Sequence, residues 1–188
     1  MTCANPQVLM SYYMIMFTGL VIGGIFLAPL CDKFGRKQIF ICSLIGLFVL
    51  YSLLLYSRDY HDTQYSLFFY GIILALALVS GILLVVEMLP KSKMPLAITI
   101  ILIAEALVTI YVCAYFKYFS YGWKNMVEAS AIALIGLTLF IWLFIPESLR
   151  YQYDKEQFEE LDKNLRRLAE SNGTYINGEE IQGASKHA

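Results

Sequence analysis

The residues best placed to do chemistry in this chain are the charged residues of one short run, CDKFGRKQ, at positions 31–38. Asp32 can accept hydrogen bonds from backbone amides or bind a nearby cation, and Arg36 and Lys37 are long enough to reach lipid headgroups. Gly35 can take a positive φ at no steric cost, which favours a very tight turn. We therefore predict a charged signature loop made of Asp32, Lys33, Gly35, Arg36 and Lys37.

Residue patterns typical of enzymes are nearly absent from the sequence. Its two histidines, His61 and His187, form no HExxH pattern, and neither a GxSxG run nor a glycine-rich phosphate loop occurs. The four cysteines show no CxxC spacing. We expect those in or beside apolar segments, Cys31, Cys42 and Cys113, to be buried thiols. The chain is thus not predicted to be an enzyme, and we expect no catalytic residue, metal or cofactor.

The composition indicates a membrane protein. Hydrophobic residues make up 59% of the 188 residues and charged residues 15%, against roughly 45 to 50% and 25% in soluble domains. The net charge of −1 does not suggest a nucleic-acid partner. Five apolar segments are long enough to span a bilayer. These segments are Val8–Leu30, Gln38–Tyr56, Tyr65–Val86, Leu96–Phe116 and Met126–Ile145.

The predicted organisation is all-α, with a change of character after the fifth span. Residues 1–7 form an N-terminal segment and residues 8–146 a five-helix transmembrane domain. In residues 147–173, Phe158, Leu161, Leu165 and Leu168 recur at helical spacing, which predicts an amphipathic helix ended by Asn172-Gly173. Residues 174–188 form a polar C-terminal tail.

The basic residues predict the orientation of the bundle. Most of the fourteen Lys and Arg residues fall on one side, in the 31–38 loop, at Lys91 and Lys93, and after Pro146. The positive-inside rule then places the N-terminus outside and the C-terminus inside. The chain is an integral membrane protein whose organelle the residues do not identify. A mitochondrial inner membrane is our leading guess.

The order of residues in the charged loop resembles a known family. Leu30, Asp32, Lys33, Gly35, Arg36 and Lys37 match the G-x-L-A/S-D-R/K-x-G-R-R/K signature of the major facilitator superfamily, with Ala28 in place of the leading glycine. Upstream, Gly19 and Gly23 lie four apart, similar to the glycine-bearing second helix of that family. Small residues at this spacing let helices approach closely.

Two further motifs follow in the same order as in the family. VEMLPKSKMP resembles E-x-x-P-x-x-x-R-G through Glu87 and Pro90, but has Met94 and Pro95 at the last two positions. PESLR resembles the P-E-S-P-R motif of the sugar-porter and organic cation/anion branches, with Leu149 replacing the second proline. The resemblance implies an ionic network at the inner face that brings together Arg36, Glu87, Glu147 and Arg150.

The resemblance also implies which part of the family fold is present. The five segments correspond to the second to sixth helices of the N-terminal half, so the first helix and the C-terminal six helices are not represented. In this family substrate binds between two six-helix halves that rock against each other. We therefore favour a transport-incompetent accessory subunit of a larger membrane complex, with a mitochondrial respiratory assembly as the leading guess. Its partners would be the lipid bilayer and other membrane subunits, and a small-molecule substrate is in doubt.

The alternative is a secondary transporter of organic ions or sugar-like solutes that another chain completes. Glu105 is the residue that separates the two hypotheses, because a carboxyl group within a membrane span costs about 2.5 to 3.5 kcal/mol and is by default functional. In a transporter it would face the cavity and bind a cation or proton. In an accessory subunit it would be protonated or would pair with a neighbouring helix or chain.

Overall fold

The computed structural model describes residues 6–57, 59–118, 122–156 and 158–171. The described residues form seven helices and no strand, which confirms the all-α prediction. Five helices are long and apolar enough to cross a membrane. They are α1 (Pro6–Phe34), α2 (Arg36–Tyr56), α3 (Tyr60–Met88), α4 (Met94–Tyr118) and α5 (Trp123–Phe144). Two short helices follow, α6 (Leu149–Asp154) and α7 (Phe158–Ser171).

The spanning helices are longer than the apolar runs that predict them. Helices α1 and α3 have 29 residues each, whereas about 20 residues cross the hydrocarbon core. Their polar ends therefore extend beyond the hydrocarbon or are accommodated by tilt. The charged loop residues Asp32 and Lys33 consequently belong to the last turn of α1 and not to a separate loop.

Close packing of α1 against α3 forms the centre of the bundle. A Cβ atom added at Gly19 or Gly23 of α1 would collide with backbone atoms of α3, and one added at Gly71 of α3 would collide with the carbonyl of Met16. The expected close approach at Gly19 and Gly23 is confirmed. Gly71, which the sequence did not single out, is the partner on the facing helix that makes it possible.

The other helices extend from this pair. Helix α2 packs against α3 and α5 against α2, so that α1, α3, α2 and α5 follow one another across the bundle. Helix α4 packs lightly on α3, and its apolar window is 0% buried. Large apolar side chains along α4 are exposed, as a surface that faces lipid or other membrane helices requires.

Cysteine burial differs from the prediction. Cys31 is fully buried beside Ile39 and Leu76, whereas Cys42 and Cys113 are exposed. Apolar helices in a membrane protein expose apolar residues on their lipid-facing side, so an apolar neighbourhood in sequence does not imply burial within the protein. The prediction of three buried thiols was therefore wrong for two of them.

The segment after the fifth span is helical but is divided in two. Helix α6 ends at Asp154, Glu156 takes a positive φ of 58°, and α7 begins at Phe158. A residue in the left-handed region cannot continue a right-handed helix, which explains the break. The predicted cap at Asn172-Gly173 and the tail 174–188 lie outside the described residues.

Candidate functional site: an ion-pair cluster at the basic end

One end of the bundle carries the predicted signature loop, and we call it the basic end. Here α1 ends, α2 begins, α3 ends and α6 packs against α3. Gly35 is the only residue between α1 and α2, and its φ is 100°. A Cβ atom at this position would lie 2.9 Å from the Oε2 atom of Glu147. The positive φ therefore favours glycine, and a larger residue would also displace the carboxylate of Glu147.

Arg36 is the charged residue at the centre of the cluster. The residue is only 6% exposed, and its Nη2 atom lies 3.0 Å from Oδ1 of Asp32. Its Nε atom lies 3.0 Å from Oε2 of Glu87 at the end of α3. The Nε–H group of Arg36 is not oriented to donate a hydrogen bond, so its contact with Glu87 is an ion pair without a hydrogen bond. The guanidinium also lies over the ring of Tyr151, 5.4 Å from its centre, as cation–π attraction favours.

Ser148 connects the ion pair to α6. The residue is fully buried, and its hydroxyl donates a hydrogen bond to the Oε2 atom of Glu87. The Oγ atom of Ser148 also accepts a hydrogen bond from the backbone N–H of Tyr151 at 3.3 Å, which caps the first turn of α6. One side chain thus satisfies a helix terminus and a carboxylate that is 91% buried.

Glu147 caps a different helix. Its Oε1 atom accepts hydrogen bonds from the backbone N–H groups of Lys37 at 2.9 Å and of Ser148 at 3.0 Å. The N-cap residue of α2 is Gly35, which has no side chain to fill this role. A carboxylate at this position also interacts favourably with the positive end of the helix dipole.

The structure therefore brings together three of the four residues of the predicted ionic network. Arg36, Glu87 and Glu147 meet at the basic end, whereas Arg150 is exposed and makes no ion pair within the described ranges. The N-cap residue Ser148 and residues 151 and 152 of α6 face the bundle, and the helical repeat turns position 150 away from it. Arg150 therefore lies outside the cluster in this structure.

The remaining predicted residues either contribute to the cluster through their backbone alone, as Lys33 and Lys37 do, or lie apart from it. Lys33 is exposed, and the Nζ atom of Lys37 donates a hydrogen bond to the carbonyl of Trp142 at 3.1 Å. Glu105 is exposed on α4, away from the basic end. Among the described residues, no group of three or more His, Cys, Asp or Glu side chains is arranged to hold a metal ion.

Two residues at this end, Tyr151 and Gln152, were not identified from the sequence, and Ser148 was noted there only as part of the PESLR motif. A serine two positions after Pro146 and directly before a helix is a recognisable N-cap signal. The roles of Tyr151 and Gln152 depend on how α6 lies against the bundle, and their sequence neighbourhood carries no signal for it.

Chemically, the cluster is an ionic latch. The hydroxyl of Ser148 is paired with the carboxylate of Glu87, but it is fully buried and also caps α6, so the geometry gives no support for covalent chemistry on a substrate. It joins the ends of α1, α2 and α3 to α6 through buried charges. Removing one partner of a buried pair typically costs about 3 to 5 kcal/mol, because the other charge remains buried and unpaired.

Five helices able to span a membrane, three of them joined at one end by such a latch, are typical of a transporter-like membrane protein. Residues 4–177 match the family model of the Major Facilitator Superfamily, and the chain belongs to that family. This finding confirms the resemblance carried by the signature loop.

Curated relatives support the same assignment at low sequence identity. The human organic cation/carnitine transporter 2 is 26% identical over 86% of this chain and 29% of its own length. A gallate transporter of Pseudomonas putida is 26% identical over 71% of this chain and 30% of its own length. Mouse solute carrier family 22 member 3 is 23% identical over 94% of this chain and 32% of its own length. The chain thus spans about a third of the length of these relatives.

Proposed function

We propose that this chain is part of a secondary transporter of small organic ions, whose transport path is completed by further membrane helices. The relatives are named for organic cations, carnitine, gallate and organic anions. These solutes share a small organic body and an ionic group, and they differ in the sign of the charge. We therefore propose the class of small organic ions without choosing the sign.

The observation that carries this proposal is the intact latch at the basic end. Alternating access moves one bundle of helices largely as a rigid body against another. The buried contact between Arg36 and Glu87, with Ser148 bound to the same carboxylate, ties separate helix ends into one unit. Buried ion pairs contribute little to net stability. We therefore infer that the Arg36–Glu87 pair is present because it holds the helices together as one moving unit.

The bare face of α4 is the surface that we assign to the transport path. None of its apolar window is buried, and Glu105 lies within the span. A carboxyl group at this depth is costly unless it meets a cation, a proton or a polar cavity. Glu105 would then bind the ammonium group of a cationic substrate or a coupled proton.

Uptake in proteoliposomes tests the proposal, with this chain reconstituted together with the membrane helices that complete its transport path. We expect saturable uptake of a small quaternary ammonium ion or of an aromatic carboxylate such as gallate. Glu105→Gln should reduce that uptake, whereas Lys93→Met, which changes an exposed residue between α3 and α4, should leave it unchanged. Uptake equal to that of empty liposomes for both classes of ion would overturn the proposal.

A second candidate is the accessory subunit of a larger membrane complex. The observation that favours it is again the exposed apolar face of α4, which another membrane protein could cover as well as transporter helices could. Neither the comparisons nor the structure supports a mitochondrial location. Purification under mild detergent separates the candidates, because an accessory subunit would be recovered with unrelated membrane proteins and without uptake activity.

A further inference from the structure

A polar groove lies beside the latch, outside the bundle. Its volume is about 710 Å³, within the range of small-molecule sites. Residues from the start of α2, the end of α5, and helices α6 and α7 line it. Since α2 begins and α5 ends here, the groove lies at the level where spanning helices leave the hydrocarbon, which is the level of lipid headgroups.

Gln152 is a buried polar side chain with an unused donor in this groove. The residue is only 2% exposed and lines the groove, and its Oε1 atom accepts a hydrogen bond from Nδ2 of Asn164 at 3.1 Å. Its Nε2 group donates no hydrogen bond to any residue in the described part of the chain. This group is not one of the fully enclosed atoms without a partner, so it reaches the groove and can donate to a ligand that offers an acceptor.

The charges that line the groove specify the ligand further. Lys37 supplies a cation that uses one N–H group on the carbonyl of Trp142 and has two others available. Glu160 of α7 supplies an exposed carboxylate, while Oε1 of Glu147 is already occupied by backbone amides. A ligand that is only an anion would be repelled by the carboxylates of Glu147 and Glu160, which outnumber the Lys37 cation. A ligand that is only a cation would accept no hydrogen bond from Lys37 or Gln152.

The apolar side of the groove is suited to acyl chains. Trp142, Leu143 and Phe144 at the end of α5 line it and are 62%, 64% and 70% exposed. Tryptophan is enriched at this depth in membranes because its ring is apolar and its N–H is polar. A ligand with a zwitterionic head and an apolar tail would therefore contact each part of the groove with matching chemistry.

We propose that this groove binds the headgroup of a zwitterionic phospholipid, with the phosphate on Lys37 and Gln152 and the ammonium beside Glu160. The bound lipid fills the space between α2, α5 and the α6–α7 segment. It thereby supports α6 on the side of Tyr151 and Gln152, next to the Arg36–Glu87 pair.

Native mass spectrometry of the full-length protein tests this proposal, with four lipids supplied separately. Phosphatidylethanolamine and phosphatidylcholine should be retained over phosphatidylglycerol, which is anionic, and over diacylglycerol, which has no phosphate. Lys37→Met and Gln152→Glu should each lower retention of the zwitterionic lipids roughly tenfold, the effect expected for one lost charge-assisted hydrogen bond. Lys93→Met, a matched change outside the groove, should leave retention unchanged.

Several outcomes would overturn it. Equal retention of all four lipids, or a preference for phosphatidylglycerol, contradicts a zwitterionic site even if a variant fails to fold. Normal retention by folded Lys37→Met and Gln152→Glu proteins contradicts the assigned residues. Displacement of the lipid by millimolar inorganic phosphate would identify a free anion site instead. Because retention is measured without transport, its result is independent of the uptake experiment.

Discussion

The carboxylate of Glu147 accepts a hydrogen bond at 2.9 Å from the backbone amide of Lys37, 110 positions earlier in the chain. Helix caps are ordinarily supplied by the residue that precedes the helix. Here that residue is Gly35, whose positive φ and lack of a side chain are needed for the tight turn out of α1. The turn and the cap have therefore been divided between two distant parts of the sequence.

Replacing this distant cap should destabilise the protein. Glu147→Ala removes both the acceptor and the charge at the start of α2, and we expect a loss of about 1 to 2 kcal/mol, as for other lost caps. Glu147→Gln keeps an acceptor oxygen and should cost less. Thermal unfolding in detergent measures both, with exposed Glu159→Gln on α7 as a control that should change the melting temperature little. Equal melting temperatures for Glu147→Ala and Glu159→Gln would contradict the cap.

The contact between Arg36 and Glu87 should show strong coupling in a double-mutant cycle. Arg36→Met leaves the carboxylate of Glu87 buried without its cation, and we expect a cost of about 3 to 5 kcal/mol. Adding Glu87→Gln removes the unpaired charge while keeping an oxygen for the Ser148 hydroxyl, so the double variant should be more stable than Arg36→Met alone. Free energies of unfolding that add independently would show that the two charges do not interact.

Gly24 within α1 and Gly35 directly after it should respond differently to alanine. Gly35→Ala places a Cβ atom in a left-handed backbone conformation and 2.9 Å from Glu147, so we expect destabilisation of at least about 1 kcal/mol. A Cβ atom at Gly24, within α1, would meet nothing within 4 Å. Gly24→Ala should therefore be neutral or stabilise the helix by up to about 1 kcal/mol. The comparison requires only the two melting temperatures, and a similar loss in both variants would argue against strain at position 35.

The proposed orientation of the bundle is open to cysteine labelling. In a background with the four native cysteines replaced by serine, Lys93→Cys would report on the basic end and Asp62→Cys on the opposite end. Both positions are exposed. A membrane-impermeant thiol reagent added outside intact cells should label position 62 and not position 93, because basic ends face inward. Labelling of position 93 alone would reverse the orientation.

Local features of the chain were predictable because they depend on residues close in sequence. Apolar runs of spanning length predict helices wherever they occur, and the spacing of Asp32, Gly35 and Arg36 predicts a tight charged turn. The paired glycines at positions 19 and 23 predict a close helix contact without naming the partner helix. These features also identify the family, since its signature is a local pattern.

The sequence by itself thus determined five spans, a signature turn and membership of the major facilitator superfamily. Only the tertiary structure decided that Gly71 faces the α1 glycines, that Glu147 caps α2, and that Arg150 lies outside the latch. The physical reason is that helical periodicity assigns residues to faces, whereas the neighbour that each face meets depends on how distant helices pack. Ser148, Tyr151 and Gln152 acquire their roles only when α6 lies against the ends of the spanning helices.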